Sequence, residues 1–259
     1  MRFFNRRIHK AVSDLDTVEI SEQNGVRYLH LGNDTVQSAM RINQPHHLEL
    51  AYTQAMMGFL LFTDAPPAST LLIGLGGGSL AKFIRHHFPL TYITAVEINA
   101  KVIQAAHQFF YLPVADARLN IVLADAAEFI TTAPQYDSIM LDGFDAGFQV
   151  TSLASESFYS ECRRALTSTG VLCVNLWASD PQFDAYLQRL SDVFDQQVIC
   201  LPIEQRGNVI IFAFADKLRY QPLRKLQQRA LALNASLNLP YSDLLAHIRN
   251  QSENEKIIP

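Results

Sequence analysis

The sequence predicts an α/β fold: a mostly parallel sheet with helices on both faces, closed by an antiparallel strand and preceded by a small antiparallel β unit. Three observations predict it. First, Thr70-Leu71-Leu72-Ile73 runs straight into Gly74-Leu75-Gly76-Gly77-Gly78, and a helix-compatible segment follows from Ala81 to His87. That is a strand, a tight turn and a helix start, the first half of a βαβ unit. Second, strand-like and helical stretches alternate from there to Phe194, as in a parallel sheet covered on both faces. Third, the runs Gln197 to Leu201 and Asn208 to Phe214 have no helix between them, so they read as a closing hairpin.

Taken in order, Thr17-Val18-Glu19-Ile20-Ser21 and Val26-Arg27-Tyr28-Leu29-His30-Leu31 each alternate apolar and polar residues around Asn24-Gly25. Alternation on both sides of Asn-Gly predicts a hairpin. With a further extended piece from Thr35 to Ile42, residues 1–45 form the N-terminal β unit. Residues 46–259 form the second, Rossmann-like nucleoside-binding domain. Pro45 suits a helix start, and Leu48, Ala51, Tyr52, Ala55, Met56 and Phe59 share one face, which predicts a helix from His46 to about Phe62. His46-His47 then belongs to the helix start, since adjacent helical residues point apart and would not share a metal. The expected strands after Thr70–Ile73 are Tyr92 to Val96, Leu119 to Leu123, Tyr136 to Leu141, Gly170 to Trp177 and the closing pair. The expected helices are Ala100 to Phe110, Ala126 to Thr131, Ser155 to Leu166, Pro181 to Phe194, Pro222 to Asn234 and Tyr241 to Ile248, with residues 251–259 frayed.

Composition narrows the function. In 259 residues, 49% are hydrophobic and the formal net charge is −4. This is enough apolar material for a large core and no basic excess of the kind a nucleic-acid binder carries. The three cysteines, Cys162, Cys173 and Cys200, lack metal-type spacing; two of them sit in apolar runs and read as buried thiols, which fits a reduced, cytoplasmic setting. No metal is expected. The most apolar window, Ala55 to Phe62, ends at Asp64-Ala65-Pro66-Pro67 and is too short to span a bilayer. The N-terminus has no apolar stretch of secretory type.

In open α/β sheets the ligand lies beyond the carboxyl ends of the strands. Four acids fall there: Glu97, Asp125, Asp142 and Asp145. Any one of them could be a turn former or a helix cap. Four on one edge, beside a glycine turn, predict a shared site. Gly74, Gly76 and Gly78 let a ligand approach bare backbone. Glu97, nineteen residues after Gly78, stands where such folds hold ribose hydroxyls. Asp125 lies where an adenine amino group could donate to it. Asp142 and Asp145 lie past the nucleoside, where they could bind a cationic amine or take a proton from it.

At this point the chain resembles the spermidine synthase (polyamine aminopropyltransferase) family, within the class I S-adenosylmethionine-dependent fold. The resemblance runs from about Val26 to Phe214. It rests on Leu31 to Gln37, Tyr52, Ile73 to Leu80, Val96-Glu97-Ile98, Ala124-Asp125, Tyr136 to Asp145, Phe158-Tyr159 and Leu166 to Val174. It implies a seven-stranded sheet, decarboxylated S-adenosylmethionine or S-adenosylmethionine as co-substrate with no prosthetic group, a polyamine as second substrate, and a homodimer. It implies catalytic roles for Asp142 as base, Asp145 as amine anchor and Tyr52 as hydrogen-bonding aide, with Gln37 lining the same pocket and also counted among the residues that bind the nucleoside co-substrate. The chain departs from the family in three places. Gly77 replaces the turn aspartate that contacts the aminopropyl amine. Ala146-Gly147-Phe148-Gln149 replaces a proline-containing segment, and Thr53-Gln54 follows the tyrosine. These features are similar to those of a divergent bacterial spermidine synthase-like branch. A methyltransferase on S-adenosylmethionine, or a nucleoside-binding homologue without turnover, are the alternatives. A nicotinamide enzyme fits less well, because the last glycine is placed differently from Gly-x-Gly-x-x-Gly.

Overall fold

The computed structural model describes residues 6–12, 17–33, 35–145, 148–203, 207–218 and 221–251. For Arg6, Phe144, Asp145, Phe148 and Gln149 the backbone alone is described. The chain opens with β1 (Arg6–Val12), β2 (Thr17–Gln23), β3 (Val26–Leu31) and β4 (Val36–Arg41), an antiparallel meander in that order. Asn24 and Gly25 take φ of 52° and 76°, the left-handed pair that a two-residue hairpin turn requires. Val18, Ile20, Leu29 and Met40 are fully buried and pack on Val102, Ala105 and Phe110, so one face of this sheet rests on the second domain. The sequence signals the hairpin but not β1, whose Arg-Arg-Ile-His-Lys-Ala-Val lacks clean alternation.

The second helix-rich part begins with α1 (Ala51–Met56), which continues as a 3-10 turn over Met57–Leu61. The expected start at His46 is wrong. Residues 42–50 are turns and bends, tied by Gln44 N–H to the Arg41 carbonyl (3.2 Å) and His47 N–H to the Gln44 carbonyl (3.0 Å). Leu50 is still extended at φ −88°, ψ 133°. These turn bonds, together with burial of Leu48, hold the segment off the helical path. His46 therefore stacks on His86, with ring centroids 3.7 Å apart.

The main sheet contains β5 (Ser69–Ile73), β6 (Tyr92–Glu97), β7 (Leu119–Leu123), β8 (Tyr136–Leu141), β11 (Leu166–Trp177), β12 (Val198–Ile203) and β13 (Asn208–Phe214). A two-residue pair, β9 (Phe144–Asp145) with β10 (Phe148–Gln149), lies between β8 and β11. The spatial order is β12-β13-β11-β8-β5-β6-β7. β5, β6, β7, β8 and β11 are mutually parallel, and β13 enters antiparallel between β11 and β12. This is the expected seven-stranded sheet with its antiparallel closing strand. β11 begins at Leu166, earlier than Gly170, with a register break between Leu166 and Val171.

Helices α2 (Ser79–His87), α3 (Ala100–Phe109), α4 (Ala126–Phe129), α5 (Glu156–Arg164), α6 (Phe183–Val193), α7 (Leu223–Leu237) and α8 (Tyr241–Arg249) complete the fold. Asn99 caps α3 through its side-chain oxygen, which accepts from Lys101 N–H at 2.9 Å. A cap of this type contributes about 1 kcal/mol. Two apolar clusters, one per sheet face, include Leu72 and Phe83 on one side and Ile73, Leu141 and Tyr159 on the other. Such a sandwich fixes the strand tips rigidly, which is what a site needs. All three cysteines are buried, and none forms a disulfide among the described residues. Among the described residues no helix is long and apolar enough to cross a membrane.

Candidate active site

The glycine turn is dictated by close approach. Gly74 has φ +88°, and a Cβ there would sit 2.2 Å from the Asp142 carbonyl oxygen. Only glycine fits, and the tips of β5 and β8 are thereby brought together. Asp142 N–H donates to the Ile73 carbonyl at 2.9 Å, locking the same pair of tips. Gly78, at φ +69°, is the N-cap of α2, and its Cβ would meet Leu112 Cδ1 at 2.6 Å.

Glu97 ends β6 directly across the turn. Its Oε2 accepts from Leu75 N–H (3.0 Å) and its Oε1 from Asn99 N–H (2.9 Å). Burial pushes its carboxyl above the ordinary value, while backbone N–H groups of Leu75, Asn99, Gly76 and Ile98 pull the other way. The sequence reading gave Glu97 one task, holding ribose. The structure shows a second: it is the acceptor that organises the glycine turn. Asp125 lies two residues beyond Leu123, the register partner of Glu97. It is exposed and caps α4, accepting from Ala127 N–H at 2.8 Å. Gly74, Gly76, Gly78, Glu97 and Asp125 thus fall on one edge.

Asp142 follows β8. It is half-buried and held by two neutral donors. Tyr52 Oη donates to Oδ2 at 3.0 Å, and Asn175 Nδ2 donates to Oδ1 at 2.9 Å. Burial raises its pKa, and the bonds from Asn175 and Tyr52 offset part of that rise. A carboxylate desolvated among neutral groups is more basic than one beside a cation. Tyr52 Oη also lies 3.2 Å from the Gln37 carbonyl, so its single proton has two acceptors in reach. Asn208 Nδ2 in turn donates to Asn175 Oδ1 at 2.9 Å.

These side chains line a cavity of about 260 Å³ closed by Thr35, Val36 and Gln37 from the N-terminal sheet and by Trp177. The front β unit therefore forms one wall of the Asp142 pocket. Gln37, expected with the nucleoside in one reading and with the amine in another, is on the Asp142 side. Asp145 has its backbone in β9, but its side chain lies outside the described residues, as do Ala146-Gly147 and residues 252–259 of the tail. Asn175, Asn208 and Trp177 escaped the sequence reading. The one signal was an asparagine inside the apolar run Val-Leu-Cys-Val-Asn-Leu-Trp. Among the described residues no group of three or more His, Cys, Asp or Glu side chains could hold a metal ion.

Gly77 is buried. A Cβ there would meet Phe110 Cδ1 and Ser38 Oγ, each at 2.8 Å. The position left by the family aspartate points at packed side chains, and Phe110 is fully buried. A side chain at Gly77 is thus excluded unless Phe110 moves.

A mostly parallel sheet with a glycine turn and acids along one edge is the arrangement of nucleoside-binding α/β enzymes. Residues 49–222 match the family model described as the spermine/spermidine synthase domain. The chain belongs to this family and is a transferase with a Rossmann-like fold. A polyamine aminopropyltransferase of Neisseria meningitidis serogroup A is 41% identical over 250 residues, covering 96% of this chain and 95% of that protein. A spermidine synthase solved in complex with the transition state analogue AdoDATO superimposes with TM-score 0.74, at 22% identity, covering 97% of this chain and 87% of that one. Human methyltransferase-like protein 13, solved in complex with SAH, gives TM-score 0.66 at 29% identity, covering 74% of this chain and 94% of that one.

Proposed function

We propose that the protein transfers an aminopropyl group from decarboxylated S-adenosylmethionine to a polyamine such as putrescine, releasing methylthioadenosine. The carrying observation is Asp142, a half-buried carboxylate held by Tyr52 and Asn175 in a cavity, with its own backbone packed against Gly74 of the glycine turn. Gly74, Gly76, Gly78, Glu97 and Asp125 bind the nucleoside. Asp145 anchors the amine. The sulfonium is already a good leaving group, so the protein mainly aligns the partners. The amine nitrogen bonds to the carbon beside sulfur, the carbon–sulfur bond breaks, and sulfur keeps the electron pair. The amine proton passes to Asp142. Tyr52 suits both states of that base. It donates to ionised Asp142, and turns to the Gln37 carbonyl when Asp142 carries the proton.

A homodimer in the cytoplasm completes this reading, with the N-terminal sheet as the contact; sedimentation equilibrium tests the dimer. Methyl transfer from S-adenosylmethionine is the second reading. It is favoured by Gly77, which supplies no charge to repel the methionine carboxylate, and by the likeness to a methyltransferase. Full-length similarity to aminopropyltransferases supports the first.

One experiment separates them. The protein is given either sulfonium with putrescine, and methylthioadenosine, spermidine and S-adenosylhomocysteine are quantified. Methylthioadenosine and spermidine in equal amounts are expected. Affinities for the two sulfoniums should lie within roughly tenfold, a gap of about 1.4 kcal/mol. A hundredfold preference for the decarboxylated form would mean that another acid replaces the missing one. Formation of S-adenosylhomocysteine with no methylthioadenosine would overturn the aminopropyl reading.

A further inference from the structure

Asp142 is held through a chain of amides that runs sideways across the sheet. Asn175 belongs to β11 and Asn208 to β13, and they are only 2% and 5% exposed. Buried amides in an apolar sheet are costly unless each is hydrogen-bonded. This chain has a direction. Asn208 Nδ2 donates to Asn175 Oδ1, and Asn175 Nδ2 donates to Asp142 Oδ1, both at 2.9 Å. An amide can rotate end for end, and its hydrogen-bond network decides which way it points.

While Asp142 is ionised, its charge also holds the Asn175 amino group toward it. After Asp142 takes a proton, that hold disappears. A rotated Asn175 would then offer its carbonyl to a proton on Oδ1 and trap it there. Asn208 opposes the rotation, because it would bring two amino groups face to face.

We propose that Asn208 is a positioning residue that acts through Asn175. It keeps a donor on Asp142 Oδ1 throughout the cycle, so the proton taken from the amine resides on Oδ2, beside Tyr52. In the transfer step the amine N–H proton moves to Oδ2 as the carbon–nitrogen bond forms. The carbon–sulfur bond breaks with its electrons going to sulfur. Tyr52, turned to the Gln37 carbonyl, accepts from the new O–H, and the proton then leaves to solvent. The relay rests on the aminopropyl-transfer reading.

The test compares wild type, Asn208→Leu, Asn175→Leu and the double variant across pH. Losing the fixed donor favours protonated Asp142. The acid limb of kcat in Asn208→Leu should therefore move up by about one pH unit. At neutral pH kcat should fall about tenfold, with KM for the decarboxylated sulfonium unchanged. The double variant should lose no more than Asn175→Leu alone, since Asn208 works through Asn175. Should Asn208→Leu fail to fold, Asn208→Ala, which removes the amino group without adding a charge, carries the same test and the same expected shift. An acid limb that stays in place, or losses that add in the double variant, overturns the relay. A wild type without transfer activity overturns the relay and the functional reading together, whereas an active wild type with an unmoved limb overturns the relay alone.

Discussion

Asp142→Asn separates chemistry from fold more cleanly than any other single change. The amide has nearly the shape of the carboxylate. Its oxygen can still accept from Asn175 Nδ2, which donates to Oδ1 in the native site. Its amino group can donate to Tyr52 Oη, which then turns its own proton to the Gln37 carbonyl 3.2 Å away. The bonds to Tyr52 and Asn175 are thus both kept in the variant, and neither partner is left unpaired. The fold should even gain. Burial raises the pKa of Asp142, so the folded state binds a proton more tightly than the unfolded chain does. For such a group, stability falls as pH rises through the window between the ordinary and the raised value. Above that window wild type carries the full desolvation cost and the variant carries none. The thermal midpoint of Asp142→Asn at neutral pH should equal or exceed that of wild type, and the difference should vanish at low pH, where Asp142 is protonated in both states. Activity should go the other way. An amide cannot take the amine proton, so kcat should drop on the order of 10²-fold or more, about 2.7 kcal/mol of barrier. Methylthioadenosine release and thermal melts on the same samples read both quantities. Full turnover in the variant would remove Asp142 as the base. A large drop in midpoint would make it a structural cap.

Two further outcomes follow from groups at the rim and beneath the site. Glu97→Ala should weaken methylthioadenosine by about 1–3 kcal/mol in calorimetric titration, and should lower the midpoint too, because Leu75 and Asn99 lose their acceptor; unchanged affinity would sink the ribose role. Lys82 is 6% exposed, its ammonium bonds the Phe110 carbonyl and the Met40 sulfur, and burial lowers its pKa to about 7. The unfolded chain keeps its proton to higher pH, so wild-type stability should rise as pH increases from about 7 toward the ordinary lysine range. Lys82→Met should abolish that rise and should be the more stable protein at pH 7; chemical denaturation across pH measures both, and a flat wild-type profile would refute the assignment.

The parts of the fold that the sequence announces are those governed by local rules. Apolar runs ending in glycine or acid mark β5, β6, β7 and β8 because a buried parallel strand needs continuous apolar residues. Asn24-Gly25 marks the hairpin because both residues must take positive φ. The helix start at His46 misled for a physical reason. Pro45 and the apolar spacing satisfy the rules for a helix, yet the competing turn bonds of Gln44 and His47, together with the burial of Leu48, decide the matter. β1 has no local signature, because its alternation is broken and its partner β2 supplies the register, which itself shifts between Arg7 and His9.

The site divides along the same line. Its acids were legible, since strand tips are legible and acids at tips are few. What sets Asp142 apart from the other acids was not. That property comes from Tyr52 on α1, Asn175 on β11 and Asn208 on β13, separated from Asp142 by 90, 33 and 66 residues respectively. Only the closed sheet brings them together. Glu97 and Asp142 illustrate the difference in their partners. Both are carboxylates at strand tips that flank β5, and burial raises the pKa of both. Glu97 accepts from fixed backbone N–H groups, which do not turn away when it gains a proton. Asp142 accepts instead from a hydroxyl that has a second acceptor in reach and from an amide that could rotate. A carboxylate ringed by fixed donors keeps one hydrogen-bonding arrangement and suits binding. One whose donors can rearrange can receive a proton and give it up again. The proposed roles, binding for Glu97 and proton transfer for Asp142, thus rest on what each carboxylate is bonded to as well as on the likeness to known enzymes.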